Sequence, residues 1–453
     1  MRLSFAATLE KPPLSADGAP AMTRILQSSD TARPRDDAYF ELKTRMHRQL
    51  IDRLKLSSLS EQTPDAVRRD VVDLVAVMLR EDALPLNEED SRRLIDDLMN
   101  ELLGFGPLEP LLRDPDISDI LVNTANEVYI ERHGQIELTD IRFADEQHLL
   151  RVIERIVDKV GRRIDEGQPM VDARLPDGSR INAVVPPIAV DGAQLSIRRF
   201  AYVPYNLERL VANGTVDQPC ADMLRGMVAA RLNIVISGGT GTGKTTLLNA
   251  MSHGIGTRER IVTIEDAAEL QLQQRHVVRM ETRPSNVEGR GEVTQRDLVR
   301  NALRMRPDRI VLGEVRSGEA FDMLQAMNTG HDGSMTTVHA NSPRDALARL
   351  EQMVSMAGLD LPTRAVRAQI ASAINVVVQL KRFPDGVRRV ISVQELEGLE
   401  GDVITMQEVF RFEQSGVSDS GRVLGRFVWT GIRPAFLDAF RANGVPEPDN
   451  LRG

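Results

Sequence analysis

The spacing of hydrophobic positions changes several times along the chain, and those changes divide it. Over 39–103 the spacing is helical. Phe40, Leu42, Met46, Leu50, Ile51 and Leu54 form one apolar face, and Val67, Val71, Leu74, Val75, Met78 and Leu79 form a second. Leu94, Ile95, Leu98, Met99 and Leu102 form a third. Thr63-Pro64-Asp65 sets a cap residue before a proline at the first helical position, and Asn87 can cap the third helix. Gly104-Phe105-Gly106-Pro107 ends the pattern. The spacing therefore predicts a small all-helical unit over 38–104. Residues 1–37 hold Pro12, Pro13, Pro20 and Pro34 without a lasting period and read as a disordered tail.

Over 105–205 the pattern alternates. Ile117-Ser118-Asp119-Ile120-Leu121-Val122 and Glu127-Val128-Tyr129-Ile130-Glu131 read as strands, with a turn at Arg132-His133-Gly134-Gln135 leading from the second to Ile136-Glu137-Leu138. Leu149, Leu150, Ile153, Ile156, Val157 and Val160 then line one side of a helix that Gly161 stops. Strands return at 171–175, 180–185 and 194–198, and Pro176-Asp177-Gly178-Ser179 has the chemistry of a turn. This is a mixed α/β domain. A connector with Pro204 and Asn213-Gly214 leads into 206–453, where strands and helices alternate as in a parallel sheet. Strands are expected at 233–237, 260–264 and 309–312. Helices are expected at 246–253, 294–304, 318–328, 343–356 and 365–373. Late strands are expected at 374–380, 387–395 and 427–430, and a last helix at 435–442.

One stretch of the third region carries chemistry outright. Gly238-Gly239-Thr240-Gly241-Thr242-Gly243-Lys244-Thr245-Thr246 contains G-x-x-x-x-G-K-[ST], between the apolar run Leu232-Asn233-Ile234-Val235-Ile236 and a helix start. Glycines let several backbone N–H groups point inward at phosphate, and the following helix adds its positive end. Lys244 is placed for the β- and γ-phosphates, and the Thr245 hydroxyl for Mg²⁺.

Three further stretches narrow the chemistry. Ile264-Glu265-Asp266-Ala267-Ala268-Glu269 sets acids at a strand end, where one can activate water and another can hold metal-bound water. Asp308-Arg309-Ile310-Val311-Leu312-Gly313-Glu314-Val315-Arg316 is an apolar strand ending in an acid, with Gly313 where many such ATPases carry aspartate. Glu314 would reach Mg²⁺ through water. Thr329-Gly330-His331-Asp332-Gly333-Ser334-Met335-Thr336-Thr337-Val338-His339-Ala340-Asn341 suits a loop that feels the terminal phosphate by hydrogen bonds.

Composition excludes some classes. Aromatics are 4% of the chain and the net charge is −9, which disfavours a nucleic-acid binder. Cys220 is the one cysteine, so no internal disulfide or cysteine-clustered zinc site is expected. No apolar run is long enough to span a bilayer, and a cytoplasmic location follows as the expectation.

The four nucleotide stretches, with Met305-Arg306-Pro307-Asp308, resemble the secretion ATPase superfamily of type II and type IV secretion and type IV pili. Gly106-Pro107-Leu108-Glu109-Pro110-Leu111-Leu112, Asp172-Ala173-Arg174-Leu175-Pro176-Asp177-Gly178-Ser179-Arg180 and Ala326-Met327-Asn328-Thr329-Gly330-His331 are similar to its CpaF-type branch, which serves tight-adherence (Tad/Flp) pili. The resemblance implies a RecA-like P-loop ATPase domain preceded by the mixed α/β domain, a homohexamer, and a place at the inner face of the inner membrane beside pilus platform proteins. It also implies ATP and Mg²⁺ as ligands and assigns residue roles. Glu269 matches the general base, Glu314 the metal-side acid, Glu265 and Asp266 supporting acids, and His331 and His339 the histidine box. Arg174, Arg180 and Arg198 match arginines that the preceding domain brings to the phosphates. The nearest other reading is the ATPase of a type IV secretion channel. A nucleic-acid motor and a non-hydrolysing scaffold stand further off.

Overall fold

The computed structural model describes residues 34–53, 63–81, 86–132, 134–199, 205–283, 285 and 290–448. The tail expected over 1–37 lies outside them up to residue 33. So do Leu54, His133 and Pro204. The chain divides into two compact units, 1–109 and 110–453.

Among its described residues the first unit holds three long α-helices, Pro34–Arg53, Pro64–Glu81 and Glu88–Leu103. The first starts four residues inside the expected tail, with a proline in its opening turn, where no N–H is needed. The three apolar faces meet: Met46, Leu50, Val71, Val75, Leu94 and Leu98 are fully buried in one cluster. Asn87 caps the third helix, its Oδ1 accepting from Asp90 N at 2.7 Å.

Among its described residues the second unit contains two sheets. The first has six strands: β1 (Ile117–Thr124), β2 (Glu127–Arg132), β3 (Gln135–Leu138), β4 (Met170–Arg174), β5 (Arg180–Val184) and β6 (Gln194–Arg198). Their order is β3-β2-β1-β6-β5-β4, and every pairing is antiparallel. Helix Glu146–Lys159 buries Leu149, Val152, Ile153, Ile156 and Val157. The register creates a charged row across this sheet. Glu131 pairs with Asp119, Asp119 with Arg198, Arg198 with Arg180, and Arg180 with Arg174. Cross-strand partners project on the same face, so the three arginines stand side by side.

The second sheet has nine strands: β7 (Ile234–Gly238), β8 (Ile261–Glu265), β9 (Val277–Glu281), β10 (Arg309–Val315), β11 (Met335–Val338), β12 (Val376–Arg382), β13 (Arg388–Glu400), β14 (Val403–Val417) and β15 (Val423–Trp429). Their order is β15-β14-β13-β12-β7-β11-β10-β8-β9. Strands β12 through β9 in that order are parallel, and β13–β15 add an antiparallel meander. Helices cover both faces of the parallel part. Ile234 and Ile236 enter one core and Val235 the other, which explains the continuous apolar run of β7. The fold class is therefore α/β, as the sequence leads one to expect.

Two expectations change here. The stretch 329–341 contains a fully buried strand, β11, between β7 and β10 at the centre of the sheet. Strand β9, helix Gln218–Ala229 and most of the long β13–β15 meander also lie outside the predicted elements.

Candidate active site

Parallel strands β7, β8, β10 and β11 end on one edge, and their C-terminal ends converge on a cavity of about 210 Å³. The phosphate loop forms one wall, with Thr240 through Thr246 all lining the cavity. Gly238 and Gly239 stand just behind, Gly238 as the last residue of β7. A Cβ on Gly238 would come within 2.5 Å of Thr242 Oγ1, and Gly241 and Gly243 have φ of +67° and +90°. Glycine is therefore required for the curl of the loop. Helix Lys244–Ser252 starts directly from it. Lys244 Nζ donates to the carbonyls of Gly238 and Gly239, each at 3.0 Å, and lies 3.9 Å from Glu314 Oε1. Burial lowers the Lys244 pKa, with Glu314 opposing that shift.

The acids stand in distinct settings. Glu265 is 2% exposed, and its Oε2 accepts from the backbone N–H groups of Glu269 at 2.7 Å and Leu270 at 2.9 Å. It fixes the loop that carries Glu269. Burial pushes its pKa up to about 7. Gly313 makes room for it: a Cβ at 313 would stand 2.9 Å from Glu265 Cγ. Glu269 itself lines the cavity, and its Oε1 pairs with Arg180 Nη1 at 3.3 Å. Glu314 Oε2 accepts from Arg316 Nε at 2.8 Å, and Arg316 Nη1 reaches Asp266 Oδ2 at 3.1 Å. Thr337 Oγ1 donates to Gly313 O at 2.7 Å, tying β11 to β10 at the cavity floor.

The expected residues separate into two groups. Arg180, Arg198, Lys244, Thr245, Glu265, Asp266, Glu269, Glu314 and His339 share the cavity wall. The Arg198 side chain makes no hydrogen bond or ion pair among the described residues, while its backbone pairs with β1 and β5. Arg174 and His331 stand apart from that wall. Arg174 sits at the sheet edge and pairs with Glu281 Oε2 at 2.8 Å. His331 precedes β11 in a helix-ending turn, where its backbone N–H and its Nδ1 both meet Ala326 O at 3.3 Å. The buried strand β11 lies between the two histidines and sends only His339 to the cavity.

Sequence reasoning passed over Arg316 and Gln295, which also line the cavity. It passed over Arg388 as well, whose Nε donates to Gly241 O at 2.8 Å while its Nη2 reaches Glu131 Oε1 at 3.1 Å. Only the strand-end position of Arg316 was visible in the primary structure. The other two depend on tertiary placement.

An Mg²⁺ ion fits the donor set. No cluster of three or more His, Cys, Asp or Glu side chains stands ready for a metal among the described residues. Mg²⁺ in phosphate sites takes one or two protein oxygens, with phosphate and water supplying the rest. Thr245 and Glu314 on this wall provide that number.

Known proteins place the chain in a family. The model of the family "Type II/IV secretion system protein" matches residues 101–409, and that of the "Type II secretion system protein E, N-terminal domain" matches 39–103. A Mycobacterium tuberculosis protein named for conjugal transfer is 42% identical over 335 residues, covering 72% of this chain and 94% of its own. The type IV secretion system protein PtlH of Bordetella pertussis is 36% identical over 321 residues, covering 64% of this chain and 94% of its own. Among solved structures, the VirB11 ATPase of the Brucella suis type IV secretion system is 31% identical, covers 64% of this chain and 95% of its own, and aligns with a TM-score of 0.35. The chain belongs to the type II/IV secretion system protein family, the secretion ATPases.

Proposed function

We propose that the chain is an ATP-hydrolysing motor, working as a homohexamer on Mg²⁺ and ATP, that drives Tad/Flp pilus assembly through inner-membrane platform proteins. The observation that carries the catalytic part is the shared wall of Lys244, Glu269 and Glu314 with Arg180 and Arg198. The phosphate loop and Lys244 hold the phosphates. Thr245 and Glu314 would hold Mg²⁺, which would supply positive charge against the phosphates. Glu265 fixes the Glu269 loop, and Glu269 takes a proton from the attacking water. Arg198 and Arg180 come from the six-stranded sheet. They offer planar donors to the terminal phosphate and link the sheet to what the loop holds. Loss of that phosphate frees the sheet, so the cycle alternates between joined and released states.

The assignment to a Tad/Flp machine follows from the resemblance at 106–112, 172–180 and 326–331. The names of the relatives favour a second reading, in which the same motor serves a type IV secretion or conjugation channel. No helix among the described residues is long and apolar enough to cross a membrane, so either role needs a membrane partner. Affinity capture of the full chain from its native membranes separates them. Recovery of a pilus platform protein supports the first, and recovery of a secretion-channel component supports the second.

A further inference from the structure

The roles above leave one buried polar side chain of the cavity wall unused. Gln295 is 6% exposed and lines the cavity, yet neither its Oε1 nor its Nε2 has a hydrogen-bond partner among the described residues. An unpaired buried amide is costly, and proteins rarely keep one without a use. The helix it opens, Gln295–Ala302, does not need it. Thr294 Oγ1 accepts from Asp297 N at 3.2 Å, and Asp297 Oδ2 accepts from Thr294 N at 3.0 Å, so the helix start is closed by a complete capping box. The helix is also pinned in place. Arg296 Nε and Arg300 Nε reach the two carboxylate oxygens of Asp322 at 2.8 and 3.0 Å, and Arg296 Nη1 donates to Ala357 O at 3.0 Å. A rigid helix therefore presents a free carboxamide to the cavity. On the same wall, Glu265 Oε1 is likewise buried without a partner.

We propose that Gln295 is a catalytic residue that holds the attacking water against the terminal phosphate of ATP. The proposal rests on reading the cavity as an ATP-hydrolysis site. A carboxamide carries an acceptor and a two-proton donor pointing different ways. The Gln295 carbonyl accepts one proton of the water in a hydrogen bond, and its NH₂ donates to a non-bridging γ-oxygen. The water oxygen forms the new bond to the γ-phosphorus. The bond from that phosphorus to the β–γ bridging oxygen breaks, and its electron pair leaves with ADP. The water's other proton passes to Glu269. Gln295 gains and loses no proton, and its work is to keep the water in line.

The test uses the full chain with Gln295→Met, which keeps length and removes both polar atoms. ATP affinity is read with a fluorescent ATP analogue, kcat with saturating ATP and Mg²⁺, and the melting temperature without nucleotide. The variant should melt at or above wild type, because an unpaired buried amide is gone. It should bind ATP within about threefold and turn over about 10²- to 10⁴-fold more slowly. Gln295→Asn keeps the amide but shortens its reach, and should lose turnover alike if the Met variant fails to fold. A kcat within about threefold of wild type, or a loss of kcat matched by an equal loss of ATP affinity, overturns the proposal. A wild-type chain that binds ATP without hydrolysing it instead overturns the functional reading beneath it.

Discussion

Arg180 Nη1 stands 3.3 Å from Glu269 Oε1, joining the six-stranded sheet to the loop after β8. Asp172 Oδ2 lies 3.7 Å from Arg180 Nη2 on the adjacent strand and helps to hold the guanidinium. The pairing couples the position of one sheet to the side chain proposed to take the water's proton. Arg180→Ala should therefore lower kcat more than it raises the KM for ATP, by about tenfold or more. Arg180→Lys keeps the charge but loses the planar fork, and should recover turnover only in part. Steady-state kinetics of the three proteins checks this.

Gly313 is where the neighbouring strand's glutamate needs space. Gly313→Ala puts a methyl group 2.9 Å from Glu265 Cγ and forces that side chain to move. Overpacking of this kind costs about 1–3 kcal/mol. Because Glu265 Oε2 holds the Glu269 backbone, turnover should fall with stability. Urea unfolding together with an ATPase assay measures both. Gly313→Asp should be worse, since it adds a second carboxylate beside a buried one.

The buried Glu265 predicts a pH dependence. Its carboxyl titrates near 4.5 when unfolded and is pushed up to about 7 in the fold, first by burial. Between those values the folded chain binds more protons than the unfolded one, so stability from this group is full below pH 4.5 and lost as pH rises through 7. The shift corresponds to a loss on the order of 3 kcal/mol. Glu265→Gln cannot ionise, so the stability difference between variant and wild type should grow in the variant's favour from pH 5 to pH 8. Denaturant unfolding at those two pH values checks it, and a constant difference would count against a neutral Glu265.

Much of the site was legible because its signals are local. The phosphate loop needs glycines at fixed offsets, and Glu265 and Glu314 sit at the ends of strands whose apolar runs are plain. The arginines were legible only as candidates. Their register as neighbours across β6, β5 and β4 is a tertiary fact, and it is what places Arg198 and Arg180 at the cavity while Arg174 is left at the edge with Glu281. The core strand β11 was hidden by its composition. Its four residues Met335-Thr336-Thr337-Val338 carry two threonines, which read as loop, yet both are buried at the centre of the sheet. That one element separates His331 from His339. Gln295 offered no signal, since a glutamine in the first turn of a capped helix is ordinary until its surroundings are known.

Glu269→Gln, measured for ATP binding and for hydrolysis on the same preparation, tests the base assignment most directly. Glutamine keeps the shape and can still accept from Arg180, but it cannot take the water's proton. The variant should bind ATP like wild type and hydrolyse it about 10²- to 10⁴-fold more slowly, whereas Lys244→Ala should already fail at binding or placing the nucleotide. Hydrolysis by Glu269→Gln near the wild-type rate would contradict the assignment of the base and the mechanism built on it.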